Sequence, residues 1–194
     1  MSDMGQALDT LAHERLGAIV DAMAGREPLP AAGAALAVSL AMSAALLQKA
    51  ASAPRAGVPV DAAAEARAGR LRHDALRLAD EDAAAYRRVV AAKSAGDDAR
   101  MRHALGQAAE PPLSMAEIGL KLARIATSIL DEVPLSLQGE VRAAAQMALA
   151  ATVAAADLVR IDVASAEDER ARRASLLAVD AAALAQALAA APLR

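Results

Sequence analysis

The chain has 194 residues and a formal net charge of −3, lacks cysteine, and is 56% hydrophobic but only 1% aromatic. This composition excludes disulfides and thiolate metal sites, and it offers no basic, aromatic surface for nucleic acid. About three residues in ten are alanine, which favours helices but buries little area per side chain. We therefore expect one all-α domain over residues 1–194, a bundle of six to eight helices, and a second copy that completes the burial as a homodimer.

Hydrophobic periodicity and stop signals place the helices along the chain, and no segment resembles a strand. The first is an amphipathic helix over 5–24, which stops at Gly25. Asp61 is the expected N-cap of a long helix that reaches about residue 94 and is ended by Gly96. The remaining predicted helices are one that restarts at Asp97 and is broken or kinked at Pro111-Pro112, and others over 113–130, 137–160 and 166–190.

The helix predicted over 31–52 begins with a long uncharged run, so a membrane span has to be considered. Residues 31–47 are mostly alanine and are at the short end for a bilayer core of about 30 Å. A buried helix is the better interpretation. Small side chains let helix backbones approach closely, so we expect this helix and the alanine-rich helix over 137–160 to form the centre of the bundle or its seam with a second chain.

The N-terminal residues and the histidines carry no targeting or metal-binding pattern. The N-terminal residues lack the basic region and apolar core of a signal peptide, which predicts a cytoplasmic protein without a membrane partner. His13, His73 and His103 lie far apart and lack the spacing of metal ligands, so no metal is expected.

The long helix over 61–94 carries an acidic residue on its apolar face. That face is traced by Leu71, Ala75, Leu78, Asp82, Ala85 and Val89. Burying an unpaired charge costs several kcal/mol, so Asp82 must be paired, hydrogen-bonded or partly neutral. Desolvation would raise its pKa and suit it to general acid–base work, but periodicity alone favours a structural aspartate bonded to a helix terminus or an arginine.

Helix spacing and helix ends also give expectations for other polar residues on this helix and at the start of the helix over 137–160. Tyr86 follows Asp82 by four residues and is expected over the same face, whereas Asp80 and Glu81 point elsewhere. Ser136 is expected to cap the helix over 137–160, and Glu140 is expected in its first turn, where a carboxylate is favourable with the helix dipole. That structural role is sufficient to explain Glu140.

Five short segments occur in order along the chain: PLPAAGA (28–34), DEDAAAY (80–86), PPL (111–113), SLQGE (136–140) and LVRID (158–162). Taken together, they resemble the cyclodeaminase/methenyltetrahydrofolate cyclohydrolase family. That family includes the C-terminal domain of formiminotransferase-cyclodeaminase and stand-alone bacterial cyclohydrolases. The resemblance covers about residues 8–170 and is one of order and spacing.

The resemblance implies a folate one-carbon enzyme, either a methenyltetrahydrofolate cyclohydrolase or a formiminotetrahydrofolate cyclodeaminase. Such an enzyme opens or closes the ring at the one-carbon unit that bridges N5 and N10 of tetrahydrofolate, and it needs no metal or added cofactor. By resemblance, Asp82 is the general acid/base, and Asp80 and Glu140 are supporting carboxylates. The residues expected to contact the folate substrate are Pro30, Gly33, Tyr86, Ser136 and Asp162.

Several glycine and polar positions of the family are replaced in this chain. They are Leu29, Ala31, Ala32, Ala34, Gly139, Glu140 and Leu158. A turn with positive φ would carry strain at Ala31 and Ala32. Two alternatives therefore stay open: a non-catalytic helical homodimer that kept the scaffold and lost the folate site, and a structural four-helix bundle unrelated to folate.

Overall fold

The computed structural model describes residues 15–27, 29–55, 57–163, 165 and 167–190. Seven helices account for most of this part of the chain, which confirms the all-α prediction. They are α1 (Leu16–Met23), α2 (Ala32–Ser52), α3 (Ala62–Ala95), α4 (Asp98–Ala108), α5 (Glu110–Ile129), α6 (Leu135–Asp162) and α7 (Glu169–Ala190). Of the helix predicted over 5–24, residues 5–14 lie outside the described residues.

The prediction of no strand was wrong for the turn between α2 and α3. Strands β1 (Pro54–Arg55) and β2 (Val58–Pro59) pair antiparallel, with Pro54 opposite Pro59. Gly57, with φ +87°, lies between them. Each strand has only two residues, too few for a periodic pattern in the sequence, and they serve as the connection between two long helices.

The expected helix ends around α3 are confirmed. The Asp61 side chain accepts a hydrogen bond of 2.8 Å from the Ala64 N–H, which satisfies a first-turn donor of α3. Gly96 ends the helix in the left-handed conformation, with φ +65°. Asp97 then accepts two bonds of 3.0 Å from first-turn N–H groups of α4.

The break at the two prolines is also confirmed. Helix α4 ends at Ala108, and α5 begins at Glu110, so Pro111 and Pro112 lie in the first turn of α5. Proline is tolerated there because first-turn N–H groups have no intrahelical partner. The helix expected from 113 thus starts three residues earlier.

The start of α6 differs from the prediction. Pro134 is the N-cap, without a side-chain capping bond, and the helix begins at Leu135. Ser136 lies inside the first turn and is exposed, so it does not cap the helix. Glu140 is past the first turn, and its expected role at the helix dipole was also wrong.

Helix α2 packs antiparallel against both α3 and α6. The buried Ser43 hydroxyl donates a 2.7 Å hydrogen bond to the Ala144 carbonyl of α6, and Lys49 reaches Glu140 one turn earlier in that helix. On α3, Gly69 lies against the Gln48 side chain, whereas Asp82 lies against Gly33 at the start of α2. Rising residue numbers on α2 therefore meet falling numbers on both neighbours, so the start of α2 lies close to the end of α6.

Helices α5 and α6 approach each other closely at Gly119. A Cβ at Gly119 would lie 2.7 Å from the Ala148 carbonyl oxygen and closer still to the Thr152 hydroxyl. Leu40 of α2 packs at the same point, where the added Cβ would be 3.2 Å from its Cδ2. Small side chains therefore allow α2, α5 and α6 to meet at the centre, as expected for the two alanine-rich helices.

Three of the described helices, α2, α6 and α7, are long and apolar enough to cross a membrane by length and composition. Half of the apolar window of α2 and of α6 is buried against other helices of the chain. In both helices the buried surface is largely alanine. Their low polarity is thus used in part for helix packing inside the bundle.

Candidate functional site

Asp82 lies on the packed face of α3 and points at the first turn of α2. Leu78 and Ala85, one turn to either side, are buried, and Asp82 itself is partly buried. A Cβ built at Gly33 would lie less than 3.0 Å from Cγ and both carboxylate oxygens of Asp82. The carboxylate therefore occupies the space that any larger residue at position 33 would need.

The environment of Asp82 favours its neutral form. Burial, and secondly the charge of Asp162, raise the pKa of Asp82 to about 6. Within the described residues no hydrogen bond or ion pair to Asp82 stabilises its charge. Periodicity alone favoured an aspartate bonded to a helix terminus or to an arginine, and neither bond is formed by Asp82 among the described residues. A carboxyl group with this pKa can change protonation state near neutral pH.

Asp162 belongs to the same site through the antiparallel packing of α2. It is the last residue of α6, and burial raises its pKa as well. The chain therefore brings together Gly33, Asp82 and Asp162 from the ends of two helices and the middle of a third. Their sequence separations of 49 and 80 residues give no hint of this proximity, which follows from the directions in which α2, α3 and α6 run.

The segment that leads into α2 contains no positive φ within its described residues. Ala31, the N-cap, is extended, with φ −113° and ψ −164°, and Ala32 is the first helical residue. The strain expected at these two alanines is therefore absent. Pro30 is buried and follows a cis peptide bond from Leu29, whereas Pro28 lies outside the described residues.

The first turn of α2 also supplies backbone donors. No side chain caps it, although the first N–H groups of a helix have no intrahelical acceptor. The partial positive charge of the helix N-terminus favours negative charge close by. The site therefore combines a carboxyl group that titrates near neutral pH with N–H groups that can bind a polar ligand atom.

Two other candidates lie on α3. Tyr86 follows Asp82 by about one helical turn and therefore lies toward the same side of α3, where its side chain is 39% exposed. Asp80 is two residues before Asp82 and hence on a different side of the helix, where it has interactions of its own. Glu81 is exposed and paired with Arg77, as expected for a residue outside the buried face.

The segment 136–140 lies at the other end of the bundle from Asp82. Glu140 forms an ion pair of 3.2 Å with Lys49, which lowers the pKa of Glu140. Lys49 is sixteen residues after Gly33, about 24 Å along α2, and Ser136 is about 39 Å from Asp162 along α6. One copy of the chain therefore does not bring Ser136 or Glu140 to the Asp82 site.

Two interactions of the candidate site residues could not be predicted from the sequence, one at each end of the bundle. The partner of Glu140 is Lys49, a pair that helix spacing cannot reveal because the residues are 91 positions apart. The effect of Asp162 on Asp82 was also not foreseen. Among the described residues, no group of three or more His, Asp or Glu side chains is arranged to hold a metal ion.

Fold and site together define a class of protein: an all-α bundle with a partly buried carboxyl group, that of Asp82, between the start of α2 and the end of α6. The sequence model of the formiminotransferase-cyclodeaminase family matches residues 15–181, and the chain belongs to that family. Among solved structures, it is similar to the formiminotetrahydrofolate cyclodeaminase from Thermotoga maritima, with a TM-score of 0.75 and 20% identity over 91% of this chain and 92% of that one. No curated protein matches the sequence.

Proposed function

We propose that the protein is a folate one-carbon enzyme of the cyclodeaminase or cyclohydrolase type, with Asp82 as its general acid/base. The observation that carries the proposal is the Asp82 carboxyl group, partly buried against Gly33 and next to Asp162. Family membership and the related cyclodeaminase structure support the same reaction class. The substrate is a reduced folate that carries a one-carbon unit at N5 and N10.

In the hydrolytic direction, water attacks the methenyl carbon of a cationic substrate. The Asp82 carboxylate accepts one proton of the attacking water and returns it to the nitrogen that leaves as the ring opens, while the remaining hydroxyl proton is released to solvent as the formyl group forms. In the deaminase direction, N10 attacks the carbon of the protonated formimino group, and Asp82 passes the proton of N10 to the resulting amino nitrogen, which leaves as ammonia. A pKa of about 6 suits both transfers near neutral pH, since both protonation states are accessible.

Charge and position give the other residues their proposed roles. The ionised Asp82 and Asp162 side chains stabilise the positive charge of the methenyl substrate. The unpaired N–H groups at the start of α2 bind a polar edge of the heterocycle, and Gly33 and Pro30 shape that turn. Asp80 and Tyr86 remain candidates for the outer rim of the substrate site around Asp82. Ser136 and Glu140 can contribute only if a second copy supplies them, given their distance from Asp82 within one chain.

The experiment that tests the proposal is a paired assay of methenyltetrahydrofolate hydrolysis and of ammonia release from formiminotetrahydrofolate. Wild-type protein should turn over at least one of the two substrates. Asp82→Asn keeps the shape of the side chain but cannot accept a proton, and it should lower kcat by roughly 10²–10⁴-fold. Asp98→Asn, an exposed carboxylate on α4, is the matched control and should keep full activity.

Two outcomes would contradict the proposal. Full activity of Asp82→Asn would remove Asp82 from the chemistry. Wild-type protein without turnover of either substrate and without binding of tetrahydrofolate would instead support a scaffold that has lost its folate site. Circular dichroism of each variant separates these results from simple loss of folding.

We also propose that the protein works as a cytoplasmic homodimer. Many large apolar side chains stay exposed on the single chain, among them Met42 at 40%, Val153 at 39% and Ile161 at 75%. With so few aromatic residues, a second copy is an effective way to bury them. Part of the apolar surface of α2 and α6 is already used for packing within the chain. The remaining apolar surface is better explained by packing against the helices of a second copy than by a membrane span.

A further inference from the structure

A groove between α3 and α5 carries a concentration of positive charge that the proposed reaction does not use. Its volume is about 480 Å³, within the range of small-molecule sites. We call it the α3–α5 groove. Its lining includes Arg67, Arg70, Leu71 and Asp74 of α3 and Lys121, Arg124 and Ile125 of α5.

Both helices present the same arrangement to this groove. On each, two cations three residues apart are followed at once by an aliphatic residue, so that all three lie on one helix face. Ile125 is buried and Leu71 is partly buried, which gives the groove an apolar floor. The cationic heads remain in water, with side-chain exposure of 53% for Arg67 and 60% for Arg124.

Half of the four cations in this groove have no partner within the described residues. Arg70 and Lys121 form no hydrogen bond or ion pair with any described residue. Arg67 approaches Asp61 only to 3.9 Å. Such weak or missing pairs leave the donors of both helices free for a bound anion.

The carboxylates around the groove do not cancel its charge. Asp180 pairs with Arg124 at 3.1 Å, but both side chains are more than half exposed, and exposed pairs exchange readily for a better partner. The carboxylate in the lining itself is Asp74, which faces Arg77 at 3.9 Å. Four cations against one lining carboxylate make this region locally positive in a chain whose net charge is −3.

We propose that the α3–α5 groove binds a small organic anion that carries two or more phosphate or carboxylate groups on an apolar body. Guanidinium groups match both kinds of anion through paired hydrogen bonds, and the lysine adds a point charge. The apolar floor between the two cationic rims favours a ligand with a flat or aliphatic body over an inorganic ion. A bare cationic surface without such a floor would not make this distinction.

The groove is separate from the Asp82 site. Leu71 and Asp82 are eleven residues apart on α3, about 16 Å along the helix axis. A ligand in the groove should therefore bind equally well to the Asp82→Asn variant. This independence keeps the test of the groove distinct from the test of the proposed reaction.

The test is calorimetric titration of the full chain at low ionic strength with three probes. Adenosine triphosphate has phosphates on an aromatic body, benzene-1,3,5-tricarboxylate has carboxylates on one, and inorganic pyrophosphate has charge without a body. We expect saturable binding of at least one organic probe, with pyrophosphate weaker by at least about tenfold. The two organic probes distinguish a phosphate ligand from a carboxylate ligand.

The variants locate the binding. Arg70→Gln combined with Lys121→Gln should weaken the organic probe by at least about tenfold, because it removes two charged donors. The matched control, Lys93→Gln combined with Arg102→Gln, removes the same charge from exposed positions outside the groove and should change affinity by less than about twofold. Asp82→Asn should bind like wild type.

Three results would overturn the proposal. The first is absence of saturable binding of either organic probe to folded wild-type protein. The second is equal loss of affinity in the groove variant and the control, which would indicate a general charge effect. The third is pyrophosphate binding as tight as that of the organic probes, which would leave the apolar floor without a role.

Discussion

The carboxylate of Asp82 fills the position that a side chain on Gly33 would occupy. A Cβ at residue 33 would lie less than 3.0 Å from three atoms of that carboxyl group, closer than real Cβ contacts. The glycine of this turn is thus explained by its contact with a side chain of α3 and not by backbone conformation, since α2 begins there with an extended N-cap and without a positive φ. The same contact holds the acid of the proposed reaction in place.

The Gly33→Ala variant tests this contact. The added methyl group must either displace the Asp82 carboxylate or separate α2 from α3. We expect folate turnover to fall at least about tenfold and the free energy of unfolding to fall by about 1–3 kcal/mol, as for other overpacked sites. The measurements are the paired assay and urea unfolding followed by circular dichroism.

Gly17→Ala is the matched control for that substitution. A Cβ at Gly17 in α1 would meet nothing within 4 Å, so the same chemical change should only add helix propensity, up to about 1 kcal/mol. If Gly33→Ala retained both wild-type stability and wild-type turnover, the close contact with Asp82 would not exist in solution.

The raised pKa of Asp82 makes a prediction about stability and pH. The folded chain holds this proton up to about pH 6, whereas the unfolded chain releases it near 3.8. The contribution of Asp82 to stability is therefore greatest below pH 4 and is lost as the pH rises to about 6. Such a shift is equivalent to about 3 kcal/mol at most, and partial exposure reduces our expectation to about 1–2 kcal/mol.

Asp82→Asn removes this dependence. Because asparagine resembles the protonated acid, wild type and variant should have similar stability at pH 4, and the variant should be more stable by about 1–2 kcal/mol at pH 7.5. Urea unfolding at the two pH values measures the difference, with Asp21→Asn as a control for loss of an exposed carboxylate. A stability difference between wild type and Asp82→Asn that is the same at both pH values would show that Asp82 is not held in a desolvated position.

The charge of Asp162 can be tested separately from activity. Asp162 raises the pKa of Asp82, so Asp162→Asn should lower that pKa. Titration of the aspartate side-chain carboxyl resonances by NMR measures the shift without any substrate. Asp157→Asn alters the same helix at an exposed position paired with Arg160 and should leave the Asp82 titration unchanged. An unchanged titration in Asp162→Asn would mean that the end of α6 does not lie near Asp82.

The sequence was sufficient to predict those parts of the fold and site that depend on local pattern. The helices and the caps at Asp61 and Asp97 follow from side chains within a few residues of each other. Asp82 could be selected because a single acid interrupts an apolar helix face. The positions of Glu140 and Asp162 depend instead on which helices run antiparallel, and alanine-rich helices carry too little pattern to specify their neighbours.

A test of the proposed dimer seam requires a substitution that the single chain tolerates. Ala41 and Ala148, on the two alanine-rich helices, are buried within one copy, so enlarging them would overpack its core and would not report on association. Val153 is a better position, because it lies 39% exposed beside a shallow apolar groove of about 350 Å³ between α6 and α7.

Val153→Arg should therefore separate the dimer while the chain stays folded. An arginine buried without a partner in an apolar interface is strongly unfavourable, and we expect the dissociation constant to rise at least about tenfold. Sedimentation velocity over a range of concentrations measures this change. Val58→Arg, an equally drastic substitution in the exposed β1–β2 turn, should sediment as wild type. A monomeric wild-type protein would contradict the homodimer, and a dimeric Val153→Arg variant would place its seam on another face.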